Sequence, residues 1–244
     1  MRAAEHIRMA AFEDHYWWFV GRRRILAALL DRHLAPAPRR RVLDLGCGTG
    51  GTLALLARYG QPHGLDAFGA PLRFCHQRGQ RLLVRGDAAR PPFADESFEL
   101  ITALDVLEHL PDDGAALGEV RRMLAPGGQF LATVPAYRFL WSDHDRALDH
   151  FRRYTARQLG ARLEAAGLRV QRLTYAISFL LPAVVAVRLA ERLRPRQPAP
   201  RTGLIALPTW LNNLCEQSLA LEAGLLRHVD LPAGVSVVAL ATRP

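Results

Sequence analysis

The sequence predicts an α/β domain on a mostly parallel sheet, and three observations carry that expectation. The run Val42-Leu43-Asp44-Leu45-Gly46-Cys47-Gly48-Thr49-Gly50-Gly51 reads as an apolar strand ending in an acid, then a sharp glycine turn into a helix that begins near Thr49. Three more strand-like segments end in an acid, at Asp66, Asp87 and Asp105, with gaps of roughly 20 residues, about one strand-plus-helix unit each. At 244 residues, half of them hydrophobic, the chain suffices for one large domain with a sizeable core.

Residues 1–34 read as helical, because Ile25, Leu26, Leu29 and Leu30 recur at helical spacing. Ala35-Pro36-Ala37-Pro38 separates them from the first strand. After the glycine turn, Leu53, Leu56 and Ala57 give a helix face running to Gly60. A second strand closes at His63-Gly64-Leu65-Asp66, and Pro71 suits the first turn of a short helix. Strands are expected at 81–85 and 98–104, then a helix over 114–124 stopped by Pro126-Gly127-Gly128, then a fifth strand over 129–134. Thr155-Ala156-Arg157-Gln158 is a capping box opening a helix that ends at Gly167, and a sixth strand follows at 168–174. Val235–Leu240 reads as a terminal strand, displaced by apolar helical runs at 176–194 and 204–227 around a Pro-rich break at 195–200. The expected organisation is a helical, aromatic lid over 1–38, a core over 39–174, a helical insertion over 175–233 and a final core strand over 234–244.

The formal charge is +9, and all 32 basic residues are Arg. They are spread over 22–24, 39–41, 152–153 and 188–201 without one dense stripe. A solvated surface is the leading reading, ahead of an anionic membrane face or anionic substrate, and nucleic acid is not expected as a partner. Cys47, Cys75 and Cys215 have no pairing or metal spacing, which fits a reducing cytoplasm. The first residues, with Glu5, His6 and Glu13, do not read as a signal peptide. Leu173–Val187 is strongly apolar and precedes Arg188, Arg192, Arg194 and Arg196. It is short for a spanning helix, and Pro182 interrupts it. A packed cap or a homodimer interface is the first reading, and a peripheral membrane patch the second.

Glycines in the 46–51 turn permit positive φ and let a ligand approach without a Cβ in the way. A helix start adds free N–H groups and partial positive charge. A dinucleotide fold uses a similar turn and an acid after its second strand, but has no use for carboxylates at the next two strand ends. A ligand bearing a cation, a diol and an amine does, and S-adenosyl-L-methionine (SAM) is one.

The segments VLDLGCGTGG (42–51), GLDA (64–67), GDAARPPFADESFELITALDVLEHL (86–110) and RRMLAPGGQFLATVPAY (121–137) carry a resemblance. With them the chain resembles a class I SAM-dependent methyltransferase of the type 11 domain family, close in pattern to quinone-biosynthesis methyltransferases. The resemblance implies a Rossmann-like, seven-stranded, mostly parallel sheet with SAM as cofactor and S-adenosyl-L-homocysteine as product. It implies that Asp44 with Gly46, Cys47, Gly48, Thr49 and Gly50 meets the methionine end. Asp66 with Ala67 would hold the ribose hydroxyls, Asp87 with Ala88 the adenine edge, and Asp105-Val106-Leu107 the floor beside the sulfonium. The family core joins its last two strands by a short hairpin, so the insertion is this chain's main departure.

Methyl transfer from a sulfonium asks the protein to align the partners, exclude water and sometimes remove a proton. Trp17 and Trp18, in the cluster His15–Arg22, read either as a core stripe or as a lid whose aromatic faces attract the sulfonium. Arg22 offers a fork for the methionine carboxylate. After the fifth strand, His144 and then His150 are candidate general bases near neutral pKa, with Tyr154 in the same run. His109, beside Glu108, is a weaker candidate. The family pattern usually carries Gly where Asp149 stands, which leaves that turn open. The competing reading of the run is a hydrogen-bonded brace for the helix at Thr155. A metal held by His144, Asp145, Asp149 and His150 is a minor alternative, and no metal is expected.

The expected function is methyl transfer to an O, N or C nucleophile of a small lipophilic molecule. Asp105-Val106-Leu107-Glu108 is not the clamp that holds a flipped base. Two rivals remain: a SAM-fold enzyme that uses the sulfonium only electrostatically, for a cyclisation or rearrangement, and a membrane-associated partner protein.

Overall fold

Seven strands form one sheet in the computed structural model, which describes residues 3–192 and 206–244. They are β1 (Arg41–Leu45), β2 (Gln61–Asp66), β3 (Leu83–Arg85), β4 (Phe98–Leu104), β5 (Leu124–Pro135), β6 (Arg169–Ala176) and β7 (Ser236–Thr242). Their order is β3-β2-β1-β4-β5-β7-β6, with β7 antiparallel to both neighbours and the other pairs parallel. This is the fold class that the sequence predicts. The strand order reverses between β1 and β4, which opens a crevice beyond their carboxyl ends.

Both faces of the sheet are covered, so β4 and β7 are almost wholly buried and read as continuous apolar runs. Successive residues point to opposite faces. Leu43, Ile101, Phe130, Leu159 and Leu163 share one cluster, while Val42, Leu100, Leu131, Ile25 and Leu219 share the other. The helices are α1 (Ala3–Phe12), α2 (Trp17–His33), α3 (Leu53–Leu56), α4 (Gly69–Gln77), α5 (Asp113–Met123), α6 (Asp143–Ala147), α7 (Ala156–Ala165), α8 (Leu181–Arg192) and α9 (Thr209–Leu226).

Three element expectations change. The single N-terminal helix is two, because Tyr16 is extended and the Asn212 side chain of α9 bridges the break. Its Oδ1 accepts the Trp17 N–H at 2.9 Å, and its Nδ2 donates to the His15 carbonyl at 3.0 Å. The helix after the glycine turn is one turn long and starts at Leu53, not near Thr49. Pro126-Gly127-Gly128 lies inside β5 rather than before it, since the Gly127 N–H and Gly128 carbonyl pair with Arg243 after β7. The Thr155 capping box forms as expected: the Thr155 N–H donates to Gln158 Oε1 at 2.9 Å.

Helices α8 and α9 lie between β6 and β7, and the Pro-rich break at 195–200 and the arginines at 194–201 fall outside the described residues. Among the described residues, no helix is long and apolar enough to cross a membrane. The insertion is anchored by Glu222 of α9, which is fully buried. Its carboxylate accepts three successive backbone N–H groups, from Ile177 at 2.5 Å, Ser178 at 2.8 Å and Phe179 at 3.0 Å. These bonds hold Ile177 at φ +60, which a β-branched residue rarely adopts. Glu222→Ala should therefore cost about 3 kcal/mol. Thermal unfolding should drop by roughly 6–12 °C; a melting temperature within 2 °C of the parent would show that the carboxylate is not the anchor.

Candidate functional site

The loop after β1 is built around the Asp66 carboxylate. The Gly46 and Cys47 N–H groups donate to the Leu65 carbonyl at 2.7 and 2.9 Å. The Gly48 N–H then reaches Asp66 Oδ2, and the Phe68 N–H reaches Oδ1, both at 2.9 Å. Asp66 thus ties the glycine loop to the exit of β2. Glycine is required at position 46: φ is +74, and a Cβ would stand 2.5 Å from Val106 Cγ2. Cys47 is buried, and a hydrogen bond with Cys75 and burial push its thiol far up, so it serves the turn and not reactivity.

Buried negative charge gathers beyond β1, β2 and β4. Asp44 is 3% exposed and accepts the Thr102 hydroxyl at 2.6 Å. Burial, with the nearby Asp66 charge, pushes its pKa up to about 7 against the opposing pull of Thr102 and Arg22. Burial also raises Asp66, although the Phe68 and Gly48 N–H groups favour its charged form. Asp105 sits at φ +58, accepts the Thr133 hydroxyl at 3.0 Å and forms an ion pair with Arg22. Glu108 is fully buried, and burial with the Asp105 charge raises its pKa well above the ordinary carboxylate value. Val106 and Leu107 supply apolar floor between them. This donor set fits a ligand that carries positive charge and hydroxyl groups, as SAM does. The Arg22 fork is in reach of the same space through Asp105.

Helix α1 covers this loop. Met9 Cε lies 3.0 Å from where a Cβ on Gly48 would stand, and Glu13 Oε2 lies 2.3 Å from the corresponding point on Gly51. Arg78 of α4 holds α1 down through Glu13 at 2.8 Å and Asp14 at 2.9 Å. The segment that lies against the glycine loop is thus α1 with Glu13 and Asp14 just after it. Trp17 and Trp18 are partly buried and pack against the Ile25–Leu219 cluster.

Asp87 is exposed, and its Oδ1 accepts the Ala89 N–H at 2.9 Å as a turn residue, while Ala88 is buried in the core. Ala67 is exposed next to Phe68, whose ring lies 5.6 Å from that of His6. Thr49 is buried in the loop, and Gly50 closes it by donating to the Cys47 carbonyl at 3.0 Å.

The three candidate histidines come together, His109 from the β4 exit and His144 and His150 from the run after β5. The His109 and His150 rings are 4.5 Å apart edge to face, and His144 lies 6.2 Å from His150. His150 Nδ1 is 2.9 Å from Asp145, which also accepts Arg153 at 2.7 and 3.0 Å and the Ser142 N–H at 2.9 Å. Burial alone would raise Asp145, but His150, Arg153 and Ser142 together hold it below the usual range. His144 departs from the near-neutral expectation: burial first, then the Arg188 charge from α8, lowers it to about 4. His109 is also lowered to about 4, by burial and then His150. Tyr154 does not join them. It is buried, and its hydroxyl donates to Asp113 at 2.8 Å, so it braces α5 against the run before α7. Asp149 takes φ +57, the conformation for which the family uses glycine, and is exposed.

Sequence reasoning missed Met9, Glu13 and Phe68, because nothing in their spacing ties them to the loop. Thr102 and Thr133 were hidden as ordinary strand residues facing strand-end acids. Glu108 had a signal, an acid beside His109 at a strand exit, but it was read only as a neighbour.

Comparison with known proteins is consistent with this geometry. A family model described as a methyltransferase domain matches residues 4–173. The chain is 36% identical over 115 residues to the fatty-acid O-methyltransferase of Mycolicibacterium smegmatis, covering 45% of this chain and 42% of that protein. It is 33% identical over 140 residues to the ubiquinone biosynthesis O-methyltransferase of Hahella chejuensis, covering 50% of this chain and 59% of that one. The chain thus spans about half the length of the curated relatives it matches. The fold is similar to a chain in the complex of the Haloferax volcanii Trm112 methyltransferase activator with its methyltransferase, at TM-score 0.64 and 19% identity over 99% of this chain and 96% of that one.

The Asp44 environment makes a prediction about the ligand-free protein. A folded-state pKa near 7 against an ordinary 3.8 means that stability falls as pH rises between those values and levels off above them. Asp44→Asn should remove that loss, so urea unfolding at pH 5 and pH 8 should show the variant gaining on the parent at the higher pH. Parallel curves would mean that Asp44 is ordinarily ionised.

Proposed function

The chain belongs to the methyltransferase-domain family, with SAM as cofactor, and on that footing we propose that it methylates an acidic oxygen of a small lipophilic molecule. The observation that carries the proposal is the pair of buried carboxylates Asp44 and Asp66, whose ionisation a positive ligand would favour, with the half-buried Asp105 paired to Arg22 beside them. When bound, SAM supplies a methyl group on a positively charged sulfur, already activated for displacement.

Asp66 keeps lone pairs beyond those given to Gly48 and Phe68, and these can accept ribose hydroxyls. Arg22 would exchange Asp105 for the methionine carboxylate, leaving Asp105, Val106 and Leu107 beside the sulfonium. Asp44 and the residues Gly46–Gly50 would frame the methionine end, Asp66 with Ala67 the ribose, and Asp87 with Ala88 the adenine edge. Residues 1–38 would act as the lid and 175–233 as a cap on the core at 39–174 and 234–244.

His144 stays neutral at working pH, since its pKa is about 4. So weak a base suits an acceptor whose own proton is acidic, such as a phenol, an enol or a carboxylic acid. The names of the fatty-acid and ubiquinone relatives support an oxygen nucleophile on a lipid-like molecule. Apolar side chains of the insertion, Leu180, Leu181 and Val184, and the Tyr137–Tyr175 ring stack at 5.1 Å support an apolar binding wall. Exposed Val187, Leu189, Trp210 and Leu221 support a cytoplasmic protein in peripheral contact with the membrane from which the acceptor partitions.

Asp66→Ala should weaken SAM at least about tenfold in calorimetry, and unchanged affinity would remove Asp66 from the site. His144→Ala should slow turnover by about a hundredfold while leaving SAM affinity intact. Turnover equal to the parent on a phenolic or fatty-acid acceptor would reject the histidine as base.

A further inference from the structure

We infer that Glu108, His109 and His150 form a binding site for one first-row divalent metal ion on the acceptor side of the crevice. One ligand atom from each lies within 4.8 Å of the other two. Small side-chain rotations would bring all three to the roughly 2.0–2.2 Å that such an ion requires.

Proximity alone would be weak, but three further observations point the same way. Glu108 is fully buried, and neither carboxylate oxygen makes a hydrogen bond to another residue. A buried carboxylate without a partner is costly, and a cation resolves it. His150 is fixed by its far nitrogen: Nδ1 faces Asp145 at 2.9 Å, leaving Nε2 as the ligating atom. Asp145 is itself held by Arg153 and the Ser142 N–H, so the carboxylate–imidazole pair is rigid. His109 is oriented likewise, with a ring N–H donated to the Leu148 carbonyl. Each imidazole thus spends one nitrogen on the protein and keeps the other for a ligand, the arrangement that metal-ligating histidines use.

The donor set selects the metal class. Two imidazoles and one carboxylate suit zinc, cobalt, manganese or ferrous iron, whereas magnesium and calcium favour all-oxygen sets. Three protein ligands leave coordination positions open. Resting on the proposed oxygen methylation, an acceptor hydroxyl bound there would lose its proton more readily, with His144 adjacent to take it. The proposal departs from the expectation that no metal binds, and of the minor alternative set His144, Asp145, Asp149 and His150 it keeps only His150, adding Glu108 and His109.

The test is Co²⁺ titration of the EDTA-treated full chain, read by visible absorption, with bound metal counted by mass spectrometry after dialysis. One Co²⁺ per chain is expected, with affinity lowered at least about tenfold by Glu108→Gln and by His150→Gln and unchanged by Asp149→Gly. Circular dichroism establishes that each variant folds, and His109→Gln replaces Glu108→Gln if the latter does not. No uptake by the folded parent, equal uptake by the ligand variants, or loss in Asp149→Gly would overturn the site. SAM calorimetry in EDTA runs alongside: failure there would sink the methyltransferase reading and leave the metal result to stand or fall separately.

Discussion

Carboxylates at the ends of β1, β2 and β4 are packed more tightly than their mutual repulsion and desolvation favour. Asp44, Asp66 and Glu108 are all buried, and burial raises the pKa of each. The fold tolerates them because each is answered locally or left poised. Asp66 is answered by two backbone N–H groups, Asp44 by the Thr102 hydroxyl, and Asp105 by Arg22 and Thr133. Burial outweighs the Thr102 hydroxyl and the Arg22 charge and pushes the Asp44 pKa up to about 7. A ligand that brings positive charge relieves this arrangement, and the proposed SAM site rests on that unmet demand.

The backbone is shaped to the same end. Asp105 and Tyr137, at the exits of β4 and β5, both hold positive φ, at +58 and +54. Such conformations persist only where the surroundings enforce them. The Asp105 N–H bonded to the Thr133 carbonyl and the Tyr137 N–H bonded to the Tyr154 carbonyl do so here. His144 and His150 are then carried on the chain between Tyr137 and Tyr154, which is pinned to the β4 exit beside His109 where the Phe151 N–H meets the Glu108 carbonyl at 2.8 Å.

The sheet and the acids at its strand ends were legible because their signals are local and periodic. An apolar strand, an acid and a helix recur at a fixed interval, and topology does the rest. The aromatic segment was half legible: Trp17 and Trp18 read equally as lid or core, and their packing against the Leu219 cluster of α9 is visible only in the tertiary structure. The break at Tyr16 was invisible because Asn212, which bridges it, lies 195 residues away in the chain. The same holds for Glu222, which caps a turn 45 residues before it. His109 and His150 each looked like separate weak candidates. Their meeting depends on how the run after β5 folds back over the β4 exit, which no spacing encodes.

The central claim is that a cationic sulfur ligand ionises Asp44. Calorimetry of SAM binding at pH 7 in buffers of different ionisation enthalpy measures it directly. With a pKa of about 7 in the free protein, binding should release about half a proton per SAM, and Asp44→Asn should release less. Tight binding with no proton released, or no binding at all, would contradict the account.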